Sequence, residues 1–301
     1  MNPRHEPHAM SPHHEPHAMS LAGISHDGRF CVLAIDHRDS LRKFLSPDDL
    51  DAVTADELTA LKVDIVGELA PIATGVMLEP EYSIPQVADA GALPSGVGFV
   101  AALEAQGYLD DLGSAPTTVL DGWSVEAAAA CGAAAAKLLL PYHPDRALAA
   151  PQRRVAAEVI AECRRVEIPL VLEPLFYDLD DPGDRRRVVI ETAREFASAA
   201  PHLLKLPFPV DPAVEPDRNV WLDACEEMNA LIPMPWTLLS GGGCFESFFA
   251  QVEVALEAGA SGCMVGRALW GEAARASSTA RPTILKSQTA PRLRRLHSLV
   301  S

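Results

Sequence analysis

The feature that most constrains this chain is a rhythm of short apolar runs separated by helical stretches. Eight such runs occur: Phe30 to Asp36, Ala73 to Glu79, Gly96 to Ala102, Ala135 to Tyr142, Pro169 to Leu175, His202 to Val210, Trp236 to Gly243 and Gly262 to Arg267. They are continuously apolar rather than alternating, as strands buried on both sheet faces must be. Between them, helical patterns run over Ser46 to Leu69, Ser124 to Gly132, Pro151 to Val166, Asp184 to Ala200, Asn219 to Leu231 and Cys244 to Gly259. The Ser-Pro-Asp-Asp opening at Ser46 is a helix start signal.

Parallel strands need a covering crossover between them, and eight units in this length predict a (β/α)8 barrel of the α/β class. A doubly wound open sheet is the competing architecture. Its glycine-rich turn after the first strand is missing, and Asp36-His37-Arg38 stands there instead. Residues 103 to 123 break the rhythm with Gly, Pro and acidic residues, which predicts a loop at the strand C-termini. The basic segment from Ser278 to Ser301 is expected to close the barrel with a last helix.

The first twenty residues follow another rule. Pro3 to Ser11 is repeated almost unchanged as Pro12 to Ser20, rich in His and Pro. Such a segment has too little apolar surface to offset its chain entropy, so a disordered tail over residues 1–20 and a single domain over 21–301 are expected.

A formal charge of −16 argues against nucleic acid and anionic membrane as partners. No apolar run approaches the ~20 residues a membrane helix needs, and the start lacks a signal-peptide pattern. Six cysteines stand singly, without a CxxC pair, as free thiols do in a reducing cytosol. A cytoplasmic protein is therefore expected.

In a barrel the strand ends converge on one mouth, so polar groups within or at the ends of apolar strands belong together. Those groups are Asp36, Glu79, Lys137, Glu173, Lys205, Ser240 and Arg267. Lys205, in Leu-Leu-Lys-Leu-Pro, and Lys137, in Ala-Ala-Lys-Leu-Leu-Leu, are both embedded in apolar strands. Two ammonium groups facing one interior disfavour each other's protonation, and a neutral lysine is a nucleophile suited to imine formation. The competing account is a lysine that snorkels out or pairs structurally with a carboxylate. Glu173, one strand before Lys205, could move protons to and from a substrate hydroxyl or pair with the second ammonium.

The turn Ser240-Gly241-Gly242-Gly243 and the turn at Gly266-Arg267 follow the last two strands. Their backbone N–H groups and the guanidinium make an anion cradle where barrels often hold phosphate. The histidines of the folded part are scattered, without HxH or HExxH spacing, so no metal site is expected.

These motifs in this order resemble the class I tagatose-1,6-bisphosphate aldolase family, which includes the sulfofructosephosphate aldolases. They are Ala34-Ile-Asp-His-Arg-Asp-Ser-Leu-Arg, Met77-Leu-Glu-Pro-Glu-Tyr, Lys137-Leu-Leu-Leu-Pro-Tyr-His-Pro-Asp, Leu172-Glu-Pro-Leu, Leu204-Lys-Leu-Pro-Phe-Pro-Val, Ser240-Gly-Gly and Gly266-Arg-Ala-Leu-Trp.

The resemblance implies a metal-independent aldolase that needs no cofactor beyond a covalent imine to Lys205. Glu173 would be the proton-transferring carboxylate. Lys137 and Asp36 would line the substrate hydroxyls with His37 and Arg38. Ser240, Gly241, Gly242, Gly266 and Arg267 would hold the phosphate of a dihydroxyacetone phosphate half. The expected partner is a small-molecule sugar phosphate or sulfonate, and an assembly of identical subunits is expected. Family members commonly show Asp-Gln-Arg and Ser-Ala-Gly where this chain has Asp36-His37-Arg38 and Ser240-Gly241-Gly242. The Asp-His-Arg start is also similar to aldolase domains of inositol breakdown that act on a deoxy-ketogluconate phosphate. Two other readings stand beside the aldolase, a non-catalytic barrel that senses a sugar phosphate and an isomerase using Glu173 as an enolising base.

Overall fold

The computed structural model describes residues 19–105 and 112–301. Residues 1–18, with most of the tandem repeat, lie outside the described residues, as do residues 106–111 of the irregular stretch. Eight strands form a closed barrel, each parallel to the next, with β8 returning to β1. They are β1 Phe30–Ala34, β2 Gly75–Leu78, β3 Phe99–Ala102, β4 Ala135–Pro141, β5 Leu170–Leu175, β6 Leu203–Leu206, β7 Trp236–Leu239 and β8 Gly262–Val265. The predicted architecture is therefore the observed one, and the open sheet is excluded by the β1 to β8 pairing.

The helices are α1 Asp39–Leu45, α2 Ala55–Leu69, α3 Ile84–Asp89, α4 Val125–Ala130, α5 Ala149–Val166, α6 Arg185–Ala199, α7 Arg218–Asn229, α8 Phe245–Glu257, α9 Arg267–Arg275, α10 Arg281–Ile284 and α11 Ala290–Val300. The helix expected to open at Ser46 instead begins at Ala55. Thr54 and Glu57 form a capping box there, each satisfying the other's backbone N–H, and this start signal outcompetes Ser46-Pro. Short α1 and α3, and α9 after β8, lay in stretches where no helix was expected. The expected C-terminal closing element is α11, amphipathic, with Leu293 and Leu296 buried.

Side chains alternate along each strand between two cores. Cys31, Leu33 and Ile35 of the first strand face the helices. Phe30, Val32 and Ala34 face the barrel axis, where they meet Met77, Val100, Ala135, Val171, Leu203 and Met264. Ile24 belongs to this inner core and plugs its lower end. The plug is possible because Gly75 and Gly98 lack side chains. A Cβ on Gly98 would lie 2.2 Å from the Gly23 carbonyl oxygen, which accepts the Gly98 N–H. Extending the inner parity upward from Ala34, Ala102, Ala135, Val171 and Leu203 reaches Asp36, Glu104, Lys137, Glu173 and Lys205, the floor of the C-terminal mouth.

Candidate active site

Five buried ionic side chains occupy that floor. Lys137 Nζ lies 2.9 Å from Asp36 Oδ2, 2.5 Å from Glu104 Oε1 and 3.1 Å from Glu173 Oε2. The other oxygen of Glu173, Oε1, lies 2.8 Å from Lys205 Nζ. Glu173 thus stands between the two lysines, and the repulsion expected from sequence is answered by carboxylates. Lys205 Nζ also lies 3.7 Å from Met77 Sδ, an apolar neighbour that narrows its surroundings. Burial works against a charged Asp36, but Lys137, then Lys205 and His37, hold its carboxyl far below the usual range.

Glu104 was not picked out in the sequence. Its Oε2 accepts the Leu139 N–H at 2.9 Å, and its carbonyl accepts from Arg38 Nη2 at 2.7 Å. Arg38 also donates to the Ala105 carbonyl and pairs with Glu81. The inner-face parity of β3 would have found Glu104, since it lies two residues past Ala102. Glu79, expected in the mouth, instead forms a fully buried pair with Lys62 of α2.

Above the floor opens a cavity of about 700 Å³. Of the residues singled out in the sequence, Glu173, Lys205, His37, Ser240, Gly241, Gly242, Gly266 and Arg267 line it. Lys137 and Asp36 lie in the ionic network, outside the lining. Arg38 lies behind the network, bracing the chain after β3.

The two glycine turns meet at one side. Gly241 and Gly242 have φ of +55° and +80°, a left-handed pair that glycine adopts without strain. The Gly266 N–H donates to Ser240 Oγ at 3.2 Å, which ties the turns together, and α9 starts at Arg267. Arg267 Nη2 lies close to this turn, 3.7 Å from where a Cβ on Gly242 would sit. His37 packs edge-on against Trp270, ring centroids 5.4 Å apart. Burial first, and then the positive charges of Arg267, Lys205 and Lys62, hold its imidazole well below the ordinary value against the pull of Asp36. Among the described residues, no group of three His, Cys, Asp or Glu side chains is arranged to hold a metal. No helix among them is long and apolar enough to cross a membrane.

The barrel and its mouth define a (β/α)8-barrel enzyme. A family model described as DeoC/LacD family aldolase matches residues 30–272, and the chain belongs to that family. It is a class I aldolase, a carbon–carbon lyase. A tagatose 1,6-diphosphate aldolase 2 of Streptococcus pyogenes serotype M1 is 27% identical over 281 residues, covering 83% of each chain. Two solved structures share the fold. A Schiff-base-forming fructose-1,6-bisphosphate aldolase matches at TM-score 0.61 and 20% identity, over 91% of this chain and 95% of its own. Cgl0159 of Corynebacterium glutamicum matches at 0.64 and 22%, over 92% and 87%. The resemblance drawn from the motifs and the aldolase reading agree with this membership, which favours them over a sensor or an isomerase.

Proposed function

We propose that this aldolase cleaves a phosphorylated ketose through an imine on Lys205, releasing dihydroxyacetone phosphate and an aldehyde. The observation that carries the reading is the Lys205–Glu173 contact of 2.8 Å on the cavity floor. Glu173 Oε1 is placed to take a proton from Lys205 Nζ, leaving an amine that attacks the C2 carbonyl. The same proton returns to the carbinolamine hydroxyl, which leaves as water and gives the protonated imine. Glu173 then accepts the C4 hydroxyl proton, the C3–C4 bond breaks, and its electron pair moves into the enamine. Reprotonation at C3 and addition of water free dihydroxyacetone phosphate and restore both side chains.

Lys137 holds the second oxygen of Glu173 throughout, so the carboxylate presents one oxygen to the reaction. Asp36 and Arg38 act through this network, Asp36 by fixing Lys137 and Arg38 by fixing the backbone of Glu104. Ser240, Gly241, Gly242, Gly266 and Arg267 form the phosphate cradle, supported by their convergence at the β7 and β8 ends and by the N-terminus of α9. His37 adds a neutral donor or acceptor beside it. The ketose carries a phosphate on C1, the half it shares with the tagatose 1,6-diphosphate named for the streptococcal relatives.

The test is borohydride reduction in the presence of dihydroxyacetone phosphate, followed by peptide mass mapping. One dihydroxyacetone phosphate, less one water and plus two hydrogens, should be attached to the peptide holding Lys205, and activity should survive EDTA. Label on another residue sinks the assignment.

A further inference from the structure

The mouth has two chemically different arcs. β7, β8 and β1 are neighbours in the closed sheet, and their ends supply Ser240, Gly242, Gly266, Arg267 and His37 to the cavity. The loops after β3 and β5, across the barrel, supply Leu112, Gly113, Ser114, Leu175, Tyr177 and Asp178. Lys205, on β6, stands between the arcs. A ketose whose C1 phosphate rests in the first arc and whose C2 faces Lys205 directs its aldehyde half toward the second.

The second arc is built of hydrocarbon, a phenol, a hydroxyl and a carboxylate. Among the described lining residues it contributes no cation. The Tyr177 ring is seated against Gly113, where a Cβ would lie 2.1 Å from it. Arg146, before α5, donates to the Asp178 carbonyl at 2.7 Å and pairs with its carboxylate at 3.2 Å and with Asp180 at 2.7 Å. Its guanidinium is thereby committed to holding the β5 loop in place, with Asp178 in the left-handed region at φ 52°.

We infer that the aldehyde half ends in an uncharged, hydroxylated group, so that the preferred ketose is phosphorylated at C1 alone, with Ser114, Tyr177 and Asp178 setting the preference. The inference deepens the proposed function and rests on its placement of Lys205 and the phosphate cradle. A phosphate or sulfonate at C6 would lie against Leu112, Leu175 and a phenol ring beside the Asp178 carboxylate, with no counter-charge among the described lining residues. A hydroxyl finds acceptors in Ser114 and Asp178.

Run as a condensation, the enzyme sets its own configuration at the new bond, so two matched acceptors isolate the second arc. Glyceraldehyde and glyceraldehyde 3-phosphate are each combined with dihydroxyacetone phosphate, whose consumption is followed. The expected kcat/KM for glyceraldehyde exceeds that for its phosphate by at least about tenfold. Ser114→Arg, at an exposed position of the same arc, should narrow or reverse that ratio. Equal or faster use of the phosphate by the native enzyme overturns the inference, as does failure to use glyceraldehyde while the borohydride adduct forms. Trapping with dihydroxyacetone phosphate alone separates the two levels. An adduct on Lys205 with the phosphorylated acceptor preferred defeats only the arc assignment, whereas no adduct defeats the imine.

Discussion

Removing the two lysine heads one at a time should separate scaffold from chemistry. Lys137→Met deletes an ammonium in contact with three buried carboxylates, at 2.9, 2.5 and 3.1 Å. Asp36 and Glu104 then lose their shared ammonium, Glu104 keeping the Leu139 N–H, and Glu173 keeps Lys205. Breaking a buried ion pair from one side destabilises by about 3–5 kcal/mol, a large share of the roughly 5–15 kcal/mol that holds a domain. With two carboxylates losing one counter-charge, the upper end of that range is expected. Lys205→Met is milder, because its partner Glu173 keeps Lys137 at 3.1 Å. The loss is one charge-assisted contact, about 1.5–3 kcal/mol. The assay is urea unfolding near neutral pH followed by circular dichroism, paired with borohydride trapping of the folded protein. Lys205→Met should be well folded and unlabelled. Lys137→Met should unfold at much lower urea, and Lys137→Met combined with Glu104→Gln should recover part of the loss. The reasoning is refuted if Lys137→Met unfolds within about 1 kcal/mol of the native protein, or if Lys205→Met proves the less stable of the two.

Other consequences are more local. His37, His143 and His202 are all held below the ordinary imidazole value of 6.5, chiefly by burial. A base with a depressed folded pKa takes up protons more readily when unfolded, so the stability it contributes is complete above the ordinary value of 6.5 and is lost as pH falls below it. His297, raised by its hydrogen bond to Cys31, works the other way as one site against three. Tm should therefore drop between about pH 7 and pH 5, less steeply in His37→Gln, and a flat profile would contradict this linkage. Gly113→Ala combines a φ of +87° with a Cβ at 2.1 Å from Tyr177. It should raise the KM for the aldehyde in condensation by roughly tenfold while Lys205 still traps dihydroxyacetone phosphate. Glu79→Ala should destabilise more than Lys62→Met in thermal unfolding, because Glu79 also collects the Glu81 and Tyr82 N–H groups and the Ser83 hydroxyl.

The barrel was legible because each strand is buried on both faces, which leaves an apolar run that no solvent-facing sheet would show. Helices α1, α3 and α9 were not, since six to nine residues cover too few turns for a helical period to stand out. Within the mouth, Lys205, Glu173 and the glycine turns announced themselves as charges or flexible residues out of place in apolar strands. Glu104 sits at the edge of the irregular stretch, where a carboxylate looks ordinary, and only its parity with Val100 and Ala102 marks it as inward-facing. Lys62 hid differently. On an outer helix a lysine reads as solvated, and its burial depends on Glu79 arriving from β2, a pairing that no local pattern encodes. Tyr177 and Gly113 meet from loops after β5 and β3, so their contact exists only once the barrel has closed.

On the proposed mechanism, the charges on the floor of the mouth also favour an imine at Lys205. Counted at formal charge, Asp36, Glu104 and Glu173 face Lys137 and Lys205, one negative charge in excess. Converting the Lys205 ammonium to a protonated imine keeps a positive charge at the same place, so the network need not reorganise as the substrate becomes covalent. In the proposed mechanism every proton that travels passes through Glu173, from Lys205 Nζ and then to and from the substrate. Lys137, in contact with three carboxylates, would hold Glu173 in place through these transfers. The arrangement predicts that replacing Glu104 with Gln, which removes the excess charge while retaining an acceptor for the Leu139 N–H, slows proton transfer more than substrate binding. In that variant kcat should fall with KM nearly unchanged, whereas a purely structural Glu104 would show itself in urea unfolding and leave kcat of the folded enzyme as it was.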